Sequence, residues 1–175
     1  WRIRKRRNAE KPPEGRYSTL QDRLCELGRF GQKTGAGFYK YIDGRTPMAD
    51  PAVEQLIAEH AKSQGIAQRV IGDDEIRKRC IYPLINEAAK ILAEGIAQRP
   101  GDVDVVWVYG YGFPIWRGGP LRYADATGIR TIYEEMLAFE RVHGTHWTPA
   151  PLLAELATTG GEFAHWKGAQ WAIPR

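Results

Sequence analysis

The segment "VYGYGFPIWRGGPLRYAD" (108–125) holds the residues most suggestive of chemistry: between Tyr109 and Pro120 lie four glycines, two prolines and four aromatic residues. Glycine-rich turns can cradle phosphates, and a dinucleotide fingerprint reads G-x-G-x-x-G between a strand and a helix. Gly110 and Gly112 supply the first two glycines, but Ile115 holds the third place, and Pro114 removes a backbone N–H that a pyrophosphate would need. "GQKTGAG" (31–37) shares only Lys33-Thr34 with a phosphate-binding loop. That motif needs glycine immediately before the lysine and again five residues earlier, where this chain has Gln32 and Leu27. His143 and His146 form H-x-x-H without the glutamate of a zinc-protease helix, and Gly144 interrupts the helix between them. Cys25 and Cys80 are too few and too far apart for a zinc site or disulfide framework, and their apolar surroundings read as small buried thiols in a reducing compartment. No metal site, cofactor-binding residue or catalytic residue is expected in this chain.

Two structural readings remain for the glycine-rich segment. In one, its glycines allow a backbone to approach a neighbouring helix closely, its prolines set direction, and Phe113, Ile115 and Trp116 supply buried area. In the other, it forms the wall of a pocket for an apolar ligand.

Helices must position this segment. Residues 17–28 fit a short helix capped by Ser18 or Thr19 and stopped by Gly28. An extended arm comes next, with Phe38, Tyr39, Tyr41 and Ile42 ahead of an Asp43-Gly44 turn. Asp50 and Pro51 begin a second helix running to about Gln64. Asp73, Asp74 and Glu75 open the longest, where they complement the positive end of its dipole, and it runs to Leu92–Glu94. Its apolar rows are Ile76, Cys80, Leu84, Ala88, Ile91 and Ile81, Ile85, Ala88, Leu92, with a kink expected at Pro83. "RPGDVDVVWVYG" (99–110) reads as a turn and a short apolar helix or strand; 129–144 is an amphipathic helix, and Pro149 to Gly160 brackets another. Four or five helices with one arm make a mainly α domain.

Totals narrow the function. Lys and Arg number 25 against 21 Asp and Glu, and Arg2, Arg4, Lys5, Arg6 and Arg7 carry the excess. A solvated terminal run explains them; no later interleaving of basic and aromatic residues suggests nucleic-acid binding. The longest uncharged apolar run, 105–116, is 12 residues, short of the roughly 20 a membrane span needs. The chain begins at Trp1, which reads as a cut from a longer polypeptide.

"GRFGQKTGAGFYKY", "DDEIRKRCIYPLINEAAKILAEG" and "VDVVWVYGYGFPIWRGGPLRYADATG", in this order, resemble the C-terminal helical region of 3-hydroxyacyl-CoA dehydrogenases. The likeness is greatest to the second copy of that domain in fused enoyl-CoA hydratase/dehydrogenase enzymes of fatty-acid β-oxidation. It implies a helical bundle of the 6-phosphogluconate dehydrogenase C-terminal-like type, with 1–48 as the tail of a preceding repeat and connecting arm, and 49–175 as the C-terminal domain. It also implies partners absent from this chain: a hydratase domain, and a Rossmann domain carrying the catalytic histidine and glutamate and using NAD on an acyl-CoA substrate.

Arg79, Pro83 and Glu87 match the family's proline-containing helix, and Gly112, Pro114, Gly119, Pro120 and Asp125 match its glycine-rich loop and the residues just beyond that loop. All eight are expected to serve structure or domain packing. Lys78 stands where the first copy has an asparagine, and a lysine cannot reproduce an amide that both donates and accepts. Glu87 is expected to accept hydrogen bonds from the loop backbone or Arg117, the alternative being an exposed carboxylate loosely paired with Lys90 or Arg79. A bacterial cytoplasmic location is expected. The rival reading is a free-standing helical interaction module using its basic N-terminus on an acidic partner.

Overall fold

The computed structural model describes Trp1, Ile3, Arg6 and residues 18–168, so most of the basic N-terminal run lies outside the described residues. The chain forms two compact units, residues 1–70 and 71–175. The second helix, which lies beyond the sequence boundary at 48/49, is counted in the first unit.

In the first unit, helix α1 (Leu20–Glu26) is followed by strands β1 (Lys40–Tyr41) and β2 (Pro47–Met48), paired antiparallel with Lys40 opposite Met48, and then by helix α2 (Pro51–Ser63). The Asp43-Gly44 turn forms because Asp43 accepts hydrogen bonds from Arg45 N, Thr46 N and the Thr46 hydroxyl. Asp50 begins α2 as its sequence foretold: the carboxylate accepts the Ala52 N–H at 3.2 Å, and Pro51 takes the first helical position. It does more than cap. Buried at 2% exposure, it also receives Arg29 Nη2 at 2.6 Å and Lys40 Nζ at 3.2 Å, while Arg29 Nε donates to the Gly37 carbonyl. Burial pushes the Asp50 carboxyl up, but the two cations and the Ala52 N–H outweigh it and leave it below the ordinary value.

Among the described residues, five α-helices build the second unit: α3 (Asp73–Ala93), α4 (Pro100–Tyr111), α5 (Pro120–Thr127), α6 (Ile129–His143) and α7 (Pro151–Thr159). Helix α3 packs against α5 and α7, α4 against α5, and α6 against α5 and α7. Tyr82, Ile85, Ala88, Ala89 and Leu92 face this core from α3 and meet Leu121, Ile132, Met136, Leu153 and Phe163. Each large apolar side chain so buried contributes roughly 1.5–3 kcal/mol.

The buried stripe of α3 is rotated from the expected one. Ile76 and Cys80 are exposed, whereas Tyr82 and Asn86 are buried, so the second apolar row faces inward and the start of the first does not. Cys80 is therefore not the buried thiol expected, and Cys25 is half-buried. Pro83 sits within a helix assigned continuously from Asp73 to Ala93. Segment 100–111 is a helix; its valine-rich middle does not make it a strand, because Pro100 starts a helical turn and Gly112 ends it in the left-handed region.

Candidate functional site

Helix α4 ends at Gly112, whose φ of 74° lets the Phe113 N–H turn back to the Trp107 carbonyl at 3.0 Å. Phe113 drops into the protein edge-on to Tyr123, with ring centroids 6.4 Å apart. A 3₁₀ turn (Ile115–Arg117) and two left-handed glycines, Gly118 and Gly119, then deliver the chain to α5. Ile115 and Trp116, on the 3₁₀ turn, are exposed rather than buried, contrary to expectation.

Carboxylates and one carboxamide hold this arrangement by binding backbone. Asp104, from α4, accepts the Leu121 N–H at 2.8 Å and the Arg122 N–H at 3.1 Å, capping α5 from outside its own sequence. Burial pushes the Asp104 carboxyl above its ordinary value, and the two N–H bonds only partly offset this. Asp125 accepts the Phe163 N–H at 2.8 Å and the Ala164 N–H at 3.0 Å, fixing the turn that inserts Phe163 into the core. Asn86, buried in α3, donates to the Thr148 carbonyl at 3.0 Å and accepts the Ala150 N–H at 2.6 Å, so it orients the approach to α7.

A charged seam joins α3 to α6. Lys78 Nζ lies 2.6 Å from Glu135 and 2.8 Å from Asp74. Hydrogen bonds that Lys78 donates to Asp74 first and then to Glu135 hold its ammonium above its usual range, and burial beside Glu135 pushes the Tyr82 phenol up. Arg79 pairs with Glu75 at 2.8 Å, hydrogen-bonds His143 and places its guanidinium 5.5 Å from the Phe139 ring centre.

The residues singled out by sequence divide accordingly. Gly112, Pro114, Gly119, Pro120 and Asp125 lie on or just after the loop, with Gly119 and Pro120 buried and Pro114 exposed. Arg79 lies on the α3–α6 seam. Pro83 is half-buried in α3. Glu87 departs from expectation: its carboxylate is exposed and pairs with Lys90 at 3.2 Å, one turn along its own helix. Asp104 takes the part assigned to it. Asp104 and Asn86 were missed because their partners lie 17 to 64 residues away, and no local pattern marks such ties. The one signal present was an uncharged carboxamide, Asn86, set between the apolar residues Ile85 and Ala88–Ala89 of α3.

A groove of about 620 Å³ opens beside Asp104 and Asp125, lined also by Arg99, Arg122 and Trp166. Of the three carboxylates in its wall, Asp104 and Asp125 are engaged with backbone and Asp102 pairs with Arg99 at 2.7 Å. Among the described residues, no three His, Cys, Asp or Glu side chains gather where they could hold a metal ion, and no helix is long and apolar enough to cross a membrane.

Fold and site together define a mainly helical protein in which Asp104, Asp125 and Asn86 secure the backbone. A profile of the 3-hydroxyacyl-CoA dehydrogenase C-terminal domain matches residues 76–171, and the chain belongs to that family. It is 45% identical over 156 residues to a peroxisomal bifunctional enzyme of Cavia porcellus, covering 87% of this chain and 22% of the relative, and 43% identical over the same length to the one of Homo sapiens. A crystal structure of the dehydrogenase part of multifunctional enzyme 1 from C. elegans aligns at a TM-score of 0.62 and 25% identity, over 88% of this chain and 34% of that one. The chain thus spans about a fifth of the length of the curated relatives it matches. These relatives are named as peroxisomal and come from animals, which overturns the expectation of a bacterial cytoplasmic protein; no residue had supported that expectation directly. A free-standing interaction module finds no support among these matches.

Proposed function

We propose that this chain is the C-terminal, non-nucleotide-binding part of a multifunctional 3-hydroxyacyl-CoA dehydrogenase of fatty-acid β-oxidation. Its work is to pack on the catalytic core of the same polypeptide and help shape the cleft for the acyl-CoA thioester. The parent oxidises the 3-hydroxyl of its substrate to a 3-oxo group, passing hydride to NAD⁺ and releasing a proton. Hydride and proton transfer belong to polypeptide outside this chain.

The family match over 76–171 carries this reading. Support comes also from a misfit between the glycine-rich segment and a dinucleotide. The first free N–H groups of α5 are where a phosphate would bind, and the Asp104 carboxylate already accepts them. A pyrophosphate there would face an anion. Pro114 and Ile115 remove the remaining features of a nucleotide loop, so no step is assigned to NAD at this site.

The test is direct. Supplied with NADH and acetoacetyl-CoA, the isolated chain should oxidise no NADH, whereas the full-length gene product should turn over. Measurable turnover by the isolated chain would refute the division of labour.

A further inference from the structure

From Val105 to Trp116 the chain carries no charged residue. That stretch is most of helix α4 and the loop beyond it, and it is apolar on every side. A helix with one face in the core ordinarily turns charge to water on the other. Helix α6 does so, with Arg130, Glu134 and Arg141 exposed. Helix α4 does not. Its inner side is covered through Val103 and Trp107, while Tyr109 is 77% exposed, Tyr111 72% and Trp116 74%, with Val105, Val106 and Ile115 also exposed.

The exposed set has the composition of an interface. Aromatic rings and arginine are enriched in such surfaces, and lysine and carboxylates are depleted. Two of the rings are held in place. Tyr111 packs on Trp107 with centroids 5.0 Å apart, and the Arg117 guanidinium lies 4.3 Å from the Trp116 ring centre. Rings fixed before binding lose less freedom when covered.

We propose that the outer face of α4, continued by Ile115 and Trp116, is a docking surface for the rest of the parent polypeptide. This rests on the proposed function, and the length of the relatives argues for that occupant. This chain covers 22% of the relative it matches at 45% identity, so most of that polypeptide lies outside it. A covalently attached partner meets the face at an effective concentration in the millimolar range, which a second copy of the chain at ordinary dilution does not reach.

Hydroxyl-radical footprinting reads these rings without substitution. Oxidation of Tyr109, Tyr111 and Trp116 is followed by mass spectrometry in the isolated chain, dilute and concentrated, and in the full-length gene product. Fast oxidation is expected in the dilute chain, with rates about tenfold lower in the full-length protein, as covering an interface centre requires. Rates within about twofold of each other in the two proteins would overturn the proposal by showing a solvated face. Protection confined to the concentrated chain would overturn it in favour of self-association. Protection already present in the dilute chain would overturn it by showing that the chain covers the face itself. None of these outcomes bears on NADH turnover, so the docking surface and the functional reading fail separately.

Discussion

Gly119 and Asp104 occupy one another's space. A Cβ on Gly119 would lie 2.4 Å from both Cβ and Oδ1 of Asp104, and the φ of +113° at Gly119 already disfavours any side chain. Gly119→Ala should destabilise the second unit by about 2–5 kcal/mol, combining backbone strain with overpacking. Asp104→Ala should cost about 1–2 kcal/mol by uncapping α5. In the Asp104→Ala background the Gly119→Ala penalty should shrink in part, because the clash with the Asp104 carboxylate is gone while strain and the close approach to the Cβ at position 104 remain. Chemical denaturation of the four proteins checks this; simple additivity would show that the contact is not the cause.

Asn86 ties down two backbone groups, the Thr148 carbonyl and the Ala150 N–H. Asn86→Ala should cost about 2–4 kcal/mol, the penalty of leaving a buried donor and acceptor unpaired. Asn86→Asp should retain the Ala150 bond but set an anion against the Thr148 carbonyl, so its stability should fall as pH rises. Thermal melts at several pH values distinguish these outcomes.

Asp43 and Asp50 should respond to acid oppositely to Asp104. Hydrogen bonds from the Thr46 hydroxyl, Thr46 N and Arg45 N hold Asp43 down to about 2, and Asp50 also lies below its ordinary value of 3.8. Both contribute stability above pH 3.8 that is lost as pH falls through their folded midpoints. Asp104 lies above 3.8 because burial disfavours its charge, so its contribution is present below pH 3.8 and is lost as pH rises through its own higher midpoint. Carboxyl NMR titration should find the Asp43 midpoint near 2 and the Asp104 midpoint on the other side of 3.8. Thr46→Val should move only the former, upward.

Lys78 bridges α3 to α6 through Glu135. Lys78→Met should cost about 1–3 kcal/mol by stranding Glu135 in its partly buried place. Lys78→Met/Glu135→Leu should recover most of that loss. If the double variant is as unstable as the single one, the stranded carboxylate is not what the lysine relieves.

Local signals in the sequence were sufficient for the helix starts. Asp50-Pro51 and the Asp73-Asp74-Glu75 cluster mark boundaries through interactions within a few residues, and each boundary lies where that chemistry puts it. Rotation about a helix axis was less legible. Tyr82 and Asn86 are polar enough to be read as outward, yet Asn86 is drawn in by Thr148 and Ala150, and Ile76 and Cys80 turn outward as a result. Glu87 looked like the partner of the glycine-rich loop because it is near the apolar stripe. Asp104 holds that place because it rises from the helix leading directly into the loop. Exposure of Ile115 and Trp116 was equally hidden, since an apolar residue type says nothing about whether its cover belongs to the same chain.

Phe163 lies wholly within the core, yet it arrives there on a short turn whose backbone is anchored to α5 through Asp125. A polypeptide shortened to end at Gly160 would therefore lose far more than a tail. It would open a ring-sized hole at the centre and leave an aspartate at its rim with nothing to hold. The last stretch of the described chain is thus a plug, and whoever trims this protein for study should cut elsewhere.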